Sequence, residues 1–245
     1  MNILGVIPAR YGSTRLPGKP LADICGKPLI QHVYEQASRA SLIGALIVAT
    51  DDERIVEAVQ AFNGNAVLTG ADHPNGTSRV AEVARNMNVD LVINIQGDEP
   101  LLDPQMIDEV AGALMEDETV VSATLCAPIT DEQALSDPNV VKVVRDRRGF
   151  ALYFSRSPIP YFRVQASLPV YEHIGIYGYR KDFLMKYVEL ENTPLSTVES
   201  LEQLKILENG YSMKVLETKV THRGPSVDTP EDLEAVRRIM GKITL

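Results

Sequence analysis

Short apolar runs alternate along this chain with stretches whose apolar residues recur every third or fourth position, and the alternation predicts strand and helix in turn. Ile3, Leu4, Val6 and Ile7 form a β-branched run that predicts a buried strand ended by Pro8, since proline cannot donate to a sheet ladder. Pro28 then stands at the first turn of a predicted helix with Leu29, Ile30, Val33 and Ala37 on one face, where its missing N–H costs nothing. Residues 45–49 predict a second strand, and Asp51 an N-cap for a helix that turns Ile55, Val56 and Val59 to the sheet. Strands at 66–68, 91–95 and 121–125 follow, with a helix opened by Pro104 that carries Met106, Ile107, Val110 and Leu114. Helices between strands imply parallel pairing with right-handed crossovers, and therefore a doubly wound α/β sheet that takes ligands at the carboxyl ends of its strands.

Past about residue 137 the pattern changes. Strand-like runs at 140–144, 151–154 and 172–179 are separated by Gly149, Pro158, Pro160 and a polar loop, which predicts a smaller antiparallel region over about 137–195, an insertion or dimer arm on a single domain spanning 1–245. A helix is expected over 197–209, with Ser196 and Glu199 as its capping box and Gly210 as its stop. Thr229, Pro230 and Glu231 start the last one.

Composition narrows the class. The 245 residues are 44% hydrophobic and 23% charged with a formal net charge of −9, an ordinary globular balance that argues against a nucleic-acid partner, whose binding draws on clustered Lys and Arg. Cys25 and Cys126 form no C-x-x-C, and the four histidines show no H-E-x-x-H spacing, so neither a disulfide framework nor a zinc site is expected and a reducing, cytoplasmic setting is. No apolar run reaches the roughly 20 residues that cross a bilayer, so no membrane partner is expected either.

Against that acidic background Arg10, Arg15 and Lys19 crowd into the loop after the first strand, spaced by Gly12, Pro17 and Gly18 with no acid before Asp23. Glycines let backbone N–H groups turn around an anion while the cations neutralise its oxygens, so the loop reads as a polyphosphate cradle, with a solvated basic turn as the plain alternative. It is neither a Walker loop nor G-x-G-x-x-G. QGDEP at 96–100 sets Asp98 at the end of a buried strand on the same sheet edge, where it could bind a hard cation or merely sit in a turn. Asp228, in DTPED, could equally be part of a helix start.

These residues also carry a likeness. PARYGSTRLPGKPL resembles the signature loop of the cytidylyltransferases that activate acidic sugars as CMP-sugars, most of all those acting on 3-deoxy-manno-octulosonate (Kdo), and the likeness continues through IVATDD, QGDEP, ALYFSRSPIP, HIGIYGYR, LEQL and VDTPEDL nearly to the end of the chain. The resemblance implies a Rossmann-like nucleotidyltransferase fold and a homodimer serving lipopolysaccharide precursor synthesis. It implies CTP and an acidic 3-deoxy sugar (Kdo) as substrates, and Mg²⁺ held by Asp98 and Asp228. Ala9, Arg10, Ser13, Arg15, Lys19, Gly76 and Thr77 would bind the nucleotide. Arg79, Gln96, Arg156, His173, Tyr177 and Glu202 would line the sugar pocket. Arg10, Arg15, Lys19 and Asp98 would carry the catalysis. Relatives place an acid where this chain has Ser78. Each sugar residue also has an ordinary structural reading: a surface arginine for Arg79, a satisfied strand histidine for His173, a core ring for Tyr177, a solvated helix acid for Glu202. The alternatives in function are a cytidylyltransferase for 8-amino-Kdo, a sialic acid or methylerythritol phosphate, and a module that binds CTP without turnover.

Overall fold

The computed structural model describes residues 1–245 apart from 13–14, 165–166, 222–223 and 244–245, and of residue 243 the backbone alone. In chain order it contains β1 (Ile3–Ala9), a 3-10 turn (Lys19–Leu21), β2 (Asp23–Ile24), β3 (Lys27–Pro28), α1 (Leu29–Ala37), β4 (Ala45–Thr50), α2 (Glu53–Ala61), β5 (Ala66–Leu68) and α3 (Gly76–Arg85). There follow β6 (Leu91–Asn94), α4 (Pro104–Glu116), β7 (Ser122–Pro128), α5 (Glu132–Ser136), β8 (Lys142–Arg145), β9 (Ala151–Ser155) and β10 (Tyr171–Arg180). The chain closes with α6 (Lys181–Glu189), α7 (Pro194–Glu199), α8 (Leu204–Glu208), β11 (Lys214–Glu217) and α9 (Pro230–Ile243).

The main sheet runs β11-β7-β10-β6-β1-β4-β5. β1 pairs in parallel with β4 and β6, as expected of a doubly wound sheet, and side chains alternate along it between two cores. Ile3 and Ile7 pack with Val33, Ile55 and Val110 on one face, whereas Leu4 and Val6 pack with Val80, Ala84 and Leu184 on the other. Each such fully buried aliphatic side chain favours the folded state by about 1.5–3 kcal/mol over leaving it exposed. The sheet is therefore rigid at its centre, and the loops at its edge inherit a fixed base.

Four local expectations are corrected by the fold. Pro8 lies inside β1, opposite Ala49, rather than ending it. The amide of Ile95 donates to the carbonyl of Val6, so this parity of β1 faces β6, and β6 has already ended at Asn94; Pro8 removes no ladder bond. The N-cap of α2 is Asp52, whose carboxylate accepts from the Arg54 amide, and Asp51 is left for another task. The antiparallel strands past residue 137 exist, but β10 is inserted between β6 and β7 of the main sheet, with β8 and β9 attached to its far end.

The helix expected over 197–209 is two. Thr193 and Ser196 make the capping box of α7, one turn earlier than Ser196 and Glu199 would, because Thr193-Pro194 supplies both a cap and a preset first residue. Ser200, at φ 51°, then breaks the run before α8. Glu199 instead accepts from the Ser155 hydroxyl at 2.6 Å and the Arg156 amide at 2.9 Å, tying α7 to the end of β9.

Candidate active site

Three segments converge beyond the carboxyl ends of β1 and β6. The loop after β1 is closed by the Gly18 amide, which donates to Tyr11 O at 3.1 Å, and Gly18 adopts φ 69°, open to glycine at little cost. The Arg54 guanidinium of α2 lies 3.4 Å from the centre of the Tyr11 ring and braces the loop from below. After β6, a Cβ on Gly97 would stand 2.7 Å from Pro8 O, so only glycine lets the two strand ends approach as they do. The carbonyl of Asp98 accepts from the Val227 amide at 2.8 Å, which brings the third segment alongside.

The consequence is a charged cluster that no stretch of sequence contains. Lys19 Nζ donates to Asp98 Oδ2 at 2.7 Å and to Asp228 Oδ1 at 3.1 Å, and Arg15 reaches the same oxygen of Asp228 at 3.1 Å. Burial pulls the Lys19 pKa down, but the charges and hydrogen bonds of Asp98 and Asp228 outweigh it and leave the ammonium above its ordinary value. Asp228 precedes α9, whose start is closed reciprocally: Asp232 N donates to Thr229 Oγ1, and Thr229 N to Asp232 Oδ2. Asp228 thus stands directly before a reciprocally capped helix start, and its carboxylate still faces the cavity.

The cluster forms one wall of a cavity of about 410 Å³ lined by Ala9, Arg10, Arg15, Lys19, Gly76, Arg79, Gln96, Asp98 and Asp228, with Pro8, Pro20, His73, Pro74, Asn75 and Gly97. Opposite the basic loop stands the N-terminus of α3, capped by Asn75, whose side chain accepts from Ser78 N at 2.9 Å. A helix start with Gly76 at the cavity suits an anion or a polar base edge. Two carboxylates close enough to share one ammonium also suit Mg²⁺, which takes one or two carboxylates and fills its remaining positions with water and phosphate oxygens. Among the described residues there is no group of three or more His, Cys, Asp or Glu side chains that would make an all-protein cage for a metal.

Of the residues expected at the nucleotide, Ser13 lies outside the described residues. Thr77 is fully buried beneath the helix start, its hydroxyl donating to Glu202 Oε1 at 2.8 Å and accepting from Asn94 Nδ2 at 3.2 Å. Of the six expected at the sugar, Arg79 and Gln96 line the cavity. Arg79 is 4% exposed and held by Asp51 at 2.9 Å, Thr69 Oγ1 at 2.6 Å and Gly70 O at 3.2 Å, so its fork is fixed; Gln96 Nε2 donates to Gly175 O at 2.8 Å.

The other four stand elsewhere. His173 lines a smaller cavity of about 160 Å³ with Glu99, Gly175 and Ser226; its Nε2 is 3.0 Å from Thr124 Oγ1, and burial lowers its pKa to about 3. Tyr177 is buried between the His173 and Tyr179 rings. Glu202 is half-buried as a residue but its carboxylate is enclosed, which raises its pKa although Thr77, Lys205 and Tyr187 act against the rise. Arg156 spends its guanidinium on carbonyls: Glu199 at 2.8 Å, Pro138 at 2.8 Å and Ser200 at 3.4 Å.

Two features of the site escaped the sequence reading. His73 lines the cavity, and its only advance signal was its place directly before PNGTSR, the turn at 74–79 that opens a helix toward the nucleotide. Asp51 anchors Arg79; an acid directly after a strand of a doubly wound sheet is the cue that could have marked it.

Comparison with known proteins follows the same lines. A profile described as cytidylyltransferase matches residues 4–218. The chain is 50% identical to the 3-deoxy-manno-octulosonate cytidylyltransferase of Geobacter metallireducens, over 96% of each chain. It is 51% identical to that of Syntrophotalea carbinolica, over 96% of this chain and 97% of the other. Among solved structures, one described as CMP:2-keto-3-deoxy-manno-octonic acid synthetase complexed with CTP superposes with a TM-score of 0.95 at 46% identity, over 99% of this chain and 100% of that one.

Proposed function

The chain belongs to the cytidylyltransferase family, and we propose that it activates Kdo with CTP, giving CMP-Kdo and pyrophosphate. The observation that carries this reading is the cavity itself, in which Arg10, Arg15 and Lys19 face a helix N-terminus while two carboxylates converge on one cation position. A triphosphate needs that combination of opposite charges; a neutral ligand would need neither.

The sugar's anomeric hydroxyl attacks the α-phosphorus in line and pyrophosphate leaves. The chain's work is to hold the two substrates in register and to stabilise the charge that moves onto the leaving group. Arg10, Arg15 and Lys19 bind the phosphate oxygens as that charge develops. Asp98 and Asp228 would hold Mg²⁺, which when bound neutralises charge on the α-phosphate and the pyrophosphate. Gly76 and the start of α3 receive the nucleoside end. Arg79 and Gln96, in the same cavity, meet the acidic sugar, Arg79 with a planar fork already oriented for a carboxylate.

We extend the proposal to a cytoplasmic homodimer serving lipopolysaccharide precursor synthesis. Support for the dimer comes from the segment after β9, where Tyr161 is 89% and Val164 73% exposed and Phe162 and Leu168 are also uncovered, apolar side chains that a second copy could cover. Cys25, exposed and free, suits a reducing compartment. The test of function is pyrophosphate release with Mg²⁺ from a panel of CTP, UTP, ATP and GTP against Kdo, 8-amino-Kdo and a sialic acid. Turnover of CTP with Kdo above all other pairs is expected. Preference for another sugar acid would reassign the substrate, and CTP binding without release would leave a nucleotide-binding module.

A further inference from the structure

Lys19 and Asp98 both belong to the site, yet the contact between them is one that catalysis would have to break. The ammonium occupies the space between Asp98 and Asp228, 2.7 and 3.1 Å from their oxygens, and Arg15 adds a second positive charge 3.1 Å from Asp228. A divalent cation ligated by those oxygens would lie within a few ångströms of Lys19 Nζ, in a half-buried place where like charges repel strongly. One of the two must leave. The short acids sit on held backbone, Asp98 with its carbonyl accepting from the Val227 amide and Asp228 with its amide donating to Asp232 at the start of α9, whereas lysine carries its charge on a flexible four-carbon stem. Among the described residues the cavity is lined by no other carboxylate, and its other charged side chains are the guanidinium groups of Arg10, Arg15 and Arg79. A polyphosphate entering the cavity would bring the anionic oxygens that draw Lys19 and Arg15 off the acids.

We propose that Lys19 is a built-in counter-ion that closes the Asp98–Asp228 pair in the nucleotide-free protein, so that the divalent cation enters with the nucleotide rather than ahead of it. This rests on the cavity being a nucleotide triphosphate site. Lys19 then acts twice, first occupying the place between the carboxylates, then moving onto the phosphates.

The test reads metal binding rather than turnover. Mn²⁺ affinity of the nucleotide-free protein is measured by electron paramagnetic resonance for the wild type, Lys19→Met, and Lys19→Met with Asp98→Asn. Removing the charge-assisted competitor should tighten Mn²⁺ binding about tenfold or more, and Asp98→Asn should abolish the gain. Unchanged or weaker binding by Lys19→Met overturns the proposal, and so does a gain that survives Asp98→Asn. A second measurement needs no variant: acetylation of Lys19 in the wild type, followed by mass spectrometry, should accelerate when Mn²⁺ displaces the ammonium from between the carboxylates and exposes it to the reagent. A rate that saturating Mn²⁺ leaves unchanged also overturns it. Neither arm contains CTP. The pyrophosphate assay therefore fails or succeeds independently: release of pyrophosphate without the Mn²⁺ gain refutes the counter-ion alone, and the gain without release supports it while refuting the activity.

Discussion

The Thr77 hydroxyl donates to Glu202 Oε1 at 2.8 Å and joins two side chains 125 positions apart, so the first turn of α3 is tied to the segment between α7 and α8. The same hydroxyl accepts from Asn94 Nδ2 at the end of β6. Helix start, sheet edge and the later half of the chain thus meet on one buried oxygen. Thr77→Val keeps the shape and removes the hydroxyl, leaving Glu202 and Asn94 with groups that have lost their partner. The expected cost is about 1–3 kcal/mol, and a thermal melt should show a fall of several degrees. An unchanged melting temperature would mean that the bond contributes nothing to stability.

Asp98 should separate fold from activity. Asp98→Asn retains shape and an acceptor but not charge, so circular dichroism should be unaltered while pyrophosphate release falls by about two orders of magnitude or more. Near-normal turnover of the variant, or wild-type turnover that survives a chelator, would remove the carboxylate and its metal from the mechanism.

For Arg156 the structure points to bracing. Its guanidinium holds carbonyls of Glu199, Pro138 and Ser200, so Arg156→Ala frees three acceptors and unties α7 from the region before β8. The melting temperature should drop by several degrees, with CTP affinity of the folded variant unchanged. A fall in kcat/KM for the sugar at an unaltered melting temperature would instead return Arg156 to the sugar pocket.

His173 makes acid stability readable. Burial lowers its pKa from 6.5 to about 3, so the folded protein accommodates the neutral ring and the unfolded chain takes up a proton near 6.5. The stabilising contribution is present above pH 6.5 and is lost as pH falls toward 3. Urea midpoints at pH 7 and pH 4.5 should therefore separate further for the wild type than for His173→Asn. Equal separations would show that the ring does not govern this window.

What the sequence determined by itself is what neighbours in the chain can specify. The strands at 66–68 and 91–95, the proline-opened helices at 104 and 230, and the basic loop between Ile7 and Pro20 are each written within about a dozen residues, through periodicity, caps and charge. The doubly wound sheet follows from their alternation, and the edge shared by Lys19 and Asp98 follows from the sheet. What only the tertiary structure decided is every pairing whose partners lie far apart: β10 entering antiparallel between β6 and β7, Lys19 bridging acids 79 and 209 positions away, Thr77 turned inward onto Glu202, and Arg156 spent on carbonyls. The break at Ser200 belongs with them, because it folds α8 back so that Glu208 accepts from the Leu195 and Ser196 amides of α7, where local propensity would have allowed one helix. The physical reason is that helical and strand periodicity reports which face of an element is apolar. Which polar partner then satisfies a given buried charge depends on how those faces dock, and that is settled by packing across the whole chain.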